Sequence, residues 1–583
     1  MASTNALFTG LTGLNANARG IDVVGNNIAN VNTTAFKSSR ALFATMLPRT
    51  INLGTPPAEV SGGTNPFQIG NGVKVAGTQR NMAAAASSAT GNASDLAIDG
   101  NGFFIVEKSG EQMYTRSGAF QTDATNSLTT IDGGKVRGFG VDTSFQIVSG
   151  TLTDLTIPLG ELKVADATSL VRFSGNLNAQ GPLPTQGSRI NLLGTSSGGF
   201  TTMPGVAPPP PDVLLPGTPL IDIRNPQIAG TPTPLFSAGQ TLQLREAQKG
   251  AVTIPSAVLN ITATSTVQDF MTFLGNALGL SSAAGPNPDG NIPGVALDTT
   301  TGIITATGNT GSANDLSIEA SDLRLLDSSG TVVGYPFIPS KTAAANGESV
   351  RTGLIVYDSL GAEVALSMTM VLDARSGTGT TWRYFAESPD TRGGVTTVAT
   401  GTIAFDTDGQ PVSSALIPIS LDRTGTGAAS PLVINIDFAG TDNGLTALAD
   451  DNSELSATFR DGAPLGTLTS YGVGRDGIIQ GAFTNGQTRT LGQIALATFS
   501  NPEGLVEAGN SLFSSGANSG NPTITTPGDF GTGQITAGAL ELSNVDLGEE
   551  FIKMIGYSTG YSASSRVIRT ADELLQQLMV IGR

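Results

Sequence analysis

The longest helical periodicities in this 583-residue chain stand at its two ends, and that placement constrains the fold more than any other feature. Near the N-terminus Leu7, Leu11, Leu14, Ala18, Ile21, Gly25 and Ile28 alternate steps of four and three, which keeps one narrow stripe on one helix face. At the far end Val567, Ala571, Leu574, Leu578 and Ile581 repeat the spacing, and Phe551, Ile555, Ile568, Leu575 and Met579 widen the apolar surface. Asp546 followed by Glu549 predicts a capped start for this second helix, with Glu549 and Glu550 at the positive end of its dipole. Such helices often cap the nearest core, but Gly10, Gly13, Gly20 and Gly25 argue otherwise. Each costs about 1 kcal/mol relative to alanine, about 4 kcal/mol together, so the first helix is unstable alone. It is expected to order only where neighbours close on its glycine faces. Two such helices separated by most of the chain point to segments that fold on assembly with other subunits.

Between them, short alternating runs are punctuated by turn residues: GFFIV (102–106), GLIVYDSLG (353–361), GTIAFDTDG (401–409) and GQIALATF (492–499). These predict strands joined by hairpins, with FDTDG closing as a type I′ Asp-Gly turn. The 75 glycines and 31 prolines fit a strand-and-turn chain. The Pro-rich GVAPPPPDVLLPGTP (205–219) and the turn-rich SSAAGPNPDGNIPG (281–294) flank TVQDFMTFLGNALGL (266–280), where Phe270, Leu274 and Leu278 predict the one internal helix. This stretch reads as a separate domain. The expected fold class is mainly β with α-helical termini.

Composition removes most chemistries. With no cysteine and no histidine, the chain has no thiolate nucleophile, no disulfide, no His-dependent triad and no metal site built on imidazole or thiolate. Thirty Lys and Arg against 47 Asp and Glu give a net charge of −17, which argues against a nucleic-acid groove. GTSSG (194–198) matches a nucleophile elbow that lacks its histidine. GVGRDG (472–477) matches a dinucleotide loop, yet IIQGAF follows it, a strand rather than a helix. Asp406 and Asp408 lack the remaining ligands of a calcium loop. Asp406, Asp461 and Asp476 offer carboxylates for glycoside hydrolysis, but a single Trp382 and 7 tyrosines make poor sugar platforms. No enzyme activity, metal or cofactor is expected. No apolar run is long enough to cross a bilayer. The first basic residue is Arg19 and no secretory leader is legible, so the chain is expected to stay inside or to leave by another route.

DVVGNNIANVNTTAFK (22–37), whose pattern is carried by Asn27, Ala29, Asn30, Thr33, Phe36 and Lys37, resembles the N-terminal signature of the axial proteins of the bacterial flagellum. LELSNVDLGEEFIKMIGYSTGYSASSRVIRTADELLQQL (540–578), led by Ser543, Asn544, Val545 and Asp546, is similar to the matching C-terminal signature. SDLAIDGNGFFIV (94–106) and YTRSGAF (114–120) are similar to blocks shared by the rod and hook members of that family. The block DGAPLGTLTSYGVGRDGIIQGAFTNGQTRTLGQIALATFSNPEGL (461–505) and VYDSLG (356–361) are similar to its hook branch. Two departures stand out: Ala35 where members usually have glycine, and YSTGYSAS (557–564) where they have a Gln-Arg-rich stretch. The segment 185–346 has no counterpart in the shorter members.

The resemblance implies that both termini join one helical layer, so the chain goes out and returns as nested domains. Residues 1–32 and 546–583 form the helical assembly domain, 33–93 and 533–545 an extended connection, 94–158 and 461–532 an inner β-domain, 159–184 and 347–460 a middle β-domain, and 185–346 an outermost insertion. It further implies a structural subunit of a curved hollow tube, a universal joint between rod and filament. Inter-subunit contacts would be made by Leu7, Leu11, Leu14, Ile21, Ile28, Phe551, Ile555, Val567, Ile568, Leu574, Leu575 and Leu578. Implied partners are many copies of the chain itself, the distal rod protein, the hook-filament junction protein, the hook cap and the flagellar export apparatus, with no nucleic acid and no membrane insertion. The implied location is the extracellular hook, reached without a cleaved signal peptide. A distal rod protein would share the terminal motifs in a far shorter chain, and a junction protein is not expected to hold DGIIQGAFTNGQ (476–487). A secreted β-rich adhesin or glycan-active enzyme would need aromatic platforms and no helix at either end.

Overall fold

The computed structural model describes residues 2–205, 213–228, 231–392, 395–412, 416–440, 444–449 and 452–581, with side chains described from Asn5 to Val580. The side chain of Ile581, the last member of the C-terminal stripe, therefore lies outside the described residues. The chain divides into two units, one made of 1–163 with 467–583 and the other of 164–466.

In the first unit the two ends are helices, α1 (Ala2–Ala29) and α3 (Leu547–Ile581). Asp546 caps α3, its Oδ1 accepting from the backbone N–H groups of Gly548 (2.8 Å) and Glu549 (3.2 Å). The segment read as an extended connection is extended but doubled: Ser39–Thr45 pairs antiparallel with Val73–Arg80, and Arg49–Asn52 with Phe67–Ile69. The β-domain beyond it is built from both halves of the chain. Lys135–Val141 pairs with Phe103–Lys108 on one side and with Thr488–Ile494 on the other, and Leu96–Asp99 pairs with Gln534–Ala537. Phe104, Ile105, Val106, Ile494 and Leu496 are fully buried there, and Phe103, Tyr114, Phe499 and Phe513 meet edge to face at 4.7–6.0 Å. GVGRDG is the turn into Ile478–Phe483, closed by Gly474 donating to the Ile478 carbonyl, so no helix receives a phosphate there.

The second unit holds two hydrophobic cores that share no residue. One gathers Val171, Phe173 and Leu177 with residues of 356–455, including Trp382 at 0% exposure. Here the meander Ser349–Tyr357, Glu363–Ser376, Gly379–Glu387, Thr397–Phe405 adjoins a sheet in which Leu170–Asn176 pairs parallel with Leu432–Asp437 and antiparallel with Glu454–Arg460. The FDTDG loop is not type I′: only Gly409 has a positive φ (74°), whereas that turn requires it at both central residues. The Asp406 carboxylate instead accepts from the N–H groups of Asp408 and Gln410, which spreads the reversal over a longer loop.

The other core lies wholly within 190–337. It includes α2 (Val267–Ala277), started by a capping box of Thr266 and Asp269 and burying Phe270, Met271 and Leu274. GTSSG is a tight loop in which Gly194 and Thr195 both donate to the Gly198 carbonyl. The two ends of the segment 185–346 are tied together. Asn346 accepts from the Thr185 N–H at 2.8 Å and donates to the Thr185 hydroxyl at 2.7 Å.

Separate cores and joined ends make the segment removable. Replacing 185–346 by a short Gly/Ser linker should leave Trp382 with the blue-shifted emission of a buried indole and a cooperative thermal transition. Red-shifted emission would show that the two cores depend on each other.

Candidate assembly interface

The terminal helices lie antiparallel, and glycine lets them do so at close range. A β-carbon at Gly10 would stand 2.8 Å from Ile568 Cγ1, one at Gly13 2.8 Å from Ser564 Oγ, and one at Gly20 2.9 Å from the Tyr557 ring. From the other side, a β-carbon at Gly560 would stand 2.7 Å from Asn17 Oδ1. Sequence reasoning assigned these glycine faces to other subunits; α3 of the same chain closes three of the four, and only Gly25 has nothing within 4 Å. The reason is topological, because domains assembled from both halves of the chain return its two ends to one place.

The face of α1 turned inward carries Gly10, Ala16, Gly20, Val24 and Asn27, all buried. The predicted stripe lies one residue further along, about 100° around the helix. Its members Leu7, Leu14, Ile21 and Ile28 are half-buried, and Leu11 is exposed. On α3 the predicted stripe divides. Ala571 is buried and Ile568 and Leu575 are half-buried, whereas Phe551, Ile555, Val567, Leu574 and Leu578 are 46–69% exposed, beside Ile552, Met579 and Val580. These side chains form two exposed apolar patches on α3, one at 551–555 and one at 567–580, and such patches mark interaction sites.

Beneath the helices a buried charge cluster joins three sequence motifs. The Glu541 carboxylate, 1% exposed, receives Lys37 Nζ at 2.7 Å on Oε1 and Arg116 Nη1 at 3.4 Å on Oε2. Oε1 also accepts from the Ala85 N–H at 2.9 Å, Lys37 Nζ donates to the Ala83 carbonyl at 2.7 Å, and Arg116 Nη2 donates to the Gly100 carbonyl at 2.6 Å. Burial pushes the Lys37 ammonium below its ordinary pKa, against the opposing hydrogen bond and charge of Glu541. Burial likewise lowers that of Arg116. Lys37 was singled out as a motif residue, but Glu541 and Arg116 were not, although both stand inside quoted blocks. An acid between two leucines in LEL was the available signal, since a charge at an apolar-flanked strand position is seldom buried unpaired.

The remaining motif residues serve the same junction. Asn27 is fully buried; its amide donates to the Ser39 carbonyl (2.7 Å) and to Glu550 (3.1 Å), and its Oδ1 accepts from the Ser39 N–H (3.0 Å). Asn544 Oδ1 accepts from the Ser38 N–H at 2.7 Å, its amide donates to the Asn81 carbonyl at 2.8 Å, and its backbone N–H donates to the Phe36 carbonyl. Asn30 donates to the Asn26 carbonyl and accepts from the Thr33 hydroxyl, which ends α1. Ser543 accepts from the Val545 N–H ahead of the cap at Asp546, and Ala29 is exposed. Ala35 is buried with φ = 57°, a left-handed conformation that costs a residue with a β-carbon about 1–2 kcal/mol. That conformation suits the glycine that the resemblance leads one to expect at this position. Among the described residues no group of three or more Asp or Glu could hold a metal ion, and no helix is long and apolar enough to cross a membrane.

Comparison with known proteins points to one apparatus. Residues 7–37 match the family described as flagella basal body rod protein, and 97–175 match the flagellar hook protein FlgE/F/G D1 domain. Residues 326–463 match the flagellar basal body protein FlaE D2 domain, and 536–580 the flagellar basal body rod FlgEFG protein C-terminal family. The chain is 27% identical over 579 residues to the flagellar hook protein FlgE of Borreliella burgdorferi, covering 98% of each chain. It is 26% identical to that of Treponema pallidum, covering 99% of each, and 25% identical to that of Escherichia coli K12, covering 98% of this chain and 99% of the other.

Two substitutions test the junction. Glu541→Gln leaves two buried cations without their counter-charge and should lower unfolding stability by about 3–5 kcal/mol, read from urea titrations. Ala35→Gly should relieve the left-handed strain and raise stability by up to about 1 kcal/mol, after the added freedom of the unfolded chain is subtracted.

Proposed function

We propose that this chain, which belongs to the flagellar hook family and is a structural, non-enzymatic subunit of the hook, builds a curved hollow tube that carries torque from rod to filament as a universal joint. The observation that carries this reading is the exposed apolar patches of α3. Phe551, Ile555, Val567, Leu574 and Leu578 stand exposed along one long helix, next to the half-buried stripe of α1, with nothing among the described residues to cover them. A homopolymer supplies the cover: each copy offers the same face, and head-to-tail contacts that do not close on themselves generate a helical array.

The antiparallel packing of α1 and α3 supports one further point. Because the two helices already close each other's small-residue faces, what neighbours must bury is the larger apolar stripe on each. Inner ends of the tube wall would then be made of helix pairs and the outer wall of β-domains. The partners expected at the two ends of such a tube are the distal rod protein below and the hook-filament junction protein above, with a hook cap during growth.

The decisive variants sit on that face. Leu574 is 55% exposed in the single chain, so Leu574→Asp should leave the thermal transition unchanged. In a polymer it would bury an unpaired carboxylate in every copy, at several kcal/mol each, and tube formation should be lost. Leu14→Asp should do the same from α1. Removing 1–32 and 546–583 should leave folded β-domains that no longer polymerise. Tubes of normal yield, counted by negative-stain microscopy, from either point variant or from the truncated chain would contradict the reading.

A further inference from the structure

The segment 185–346 and the middle β-domain have separate cores, yet charged side chains are buried where the two meet. Lys249, on a strand of the segment, is 3% exposed and pairs with Oε1 of Glu387 on the strand Gly379–Glu387. Arg351, on Ser349–Tyr357, holds Oε2 of the same carboxylate at 2.9 Å and donates to Ser367 Oγ at 3.0 Å. Lys249 also donates to the carbonyls of Leu278 (3.4 Å) and Gly279 (3.1 Å), so it caps the end of α2 as it reaches across. Gly279, at φ = 62°, is what admits the glutamate: a β-carbon there would stand 2.7 Å from Glu387 Oε1. Further polar links cross this boundary, among them the Thr396 hydroxyl donating to the Asn276 carbonyl at 2.5 Å and the Ala313 N–H donating to Ser349 Oγ at 2.8 Å. Lys249, Arg351 and Glu387 line one end of a cavity of about 940 Å³, whose other walls include Val252, Ile254, Leu354, Leu366 and Phe459.

We propose that Lys249, Glu387 and Arg351 form a two-position latch that holds the inserted segment on the middle domain in one orientation, and that the cavity is the space through which water reaches the charges when the latch parts. The physical basis is the cost of intermediate positions. A slight rotation would separate the charges without hydrating them and leave them buried and unpaired, whereas full parting opens them to water. A boundary without a shared apolar core offers little else to resist that motion, so the joint has two settings rather than a continuum. The mechanical use of such a joint rests on the tube reading. In a turning curved tube displacement grows with radius, and a segment able to take two settings lets outer contacts adjust while the inner helices stay packed.

The chain has no native cysteine, so cysteines at the exposed positions Val258, on the segment, and Val433, on the middle domain, can carry spin labels without interference. The wild-type background should give one narrow distance distribution by double electron–electron resonance. Glu387→Gln and Lys249→Met should each broaden it or add a second, longer distance, while Trp382 emission stays that of a buried indole. A narrow distribution at the wild-type distance in both variants would overturn the latch. So would loss of the buried Trp382 signal in both, which would make the cluster part of the middle-domain core. These distances are measured on unassembled chain, so their failure leaves the hook reading intact. That reading fails separately, if the wild-type chain makes no tubes.

Discussion

Everything in this molecule follows from the requirement that its two ends lie side by side. Three glycines of α1 let α3 approach until added β-carbons would clash, and the Lys37–Glu541–Arg116 cluster beneath the helices binds the segments leaving them to the first β-domain. A buried cluster of this kind is weak evidence for stability in itself, since desolvation offsets most of its attraction. Its value is register: one acceptor serving two cations and a backbone N–H fixes how residues near 37, 85, 116 and 541 meet. Strand pairing continues the same logic, as the β-domain of the first unit takes strands from both the outgoing and the returning chain.

Much of this was legible in the residues. The terminal helices, the cap at Asp546, the single internal helix and the strand character of the middle follow from local periodicity and turn chemistry, and the structure contains them. What periodicity could not decide was which face of α1 meets which partner. A stripe of leucines and a stripe of small residues lie side by side on α1, and only knowledge of where α3 runs tells which is used within the chain. The same limit explains Glu541 and Arg116. Long-range charge pairs leave no local spacing, so Lys37 was found by motif and its partners were not. The FDTDG turn was misread for a smaller reason, because Asp406 bonding forward to two N–H groups favours a longer loop over the two-residue turn that an Asp-Gly pair usually signals.

The exposed face of α3 gives the function its physical content. A chain with no histidine, no cysteine and a single tryptophan has few means of doing chemistry. It has instead a 35-residue helix with large apolar side chains standing in water, which is an unstable arrangement until something covers them. On the proposed hook reading, the cover is a polymer of the same chain. That reading implies a division of labour on the helices: small residues and buried polar groups join a chain to itself, and large apolar residues are left for other copies.

A reconstruction of the assembled polymer at side-chain resolution tests that division most directly. The account predicts Val567, Leu574 and Leu578 buried against other copies, with Gly10 and Gly20 still packed on Ile568 and Tyr557 of their own chain. Finding those apolar side chains bare in the lumen, or the glycine faces closed by a neighbouring copy while α1 and α3 of one chain stand apart, would contradict it.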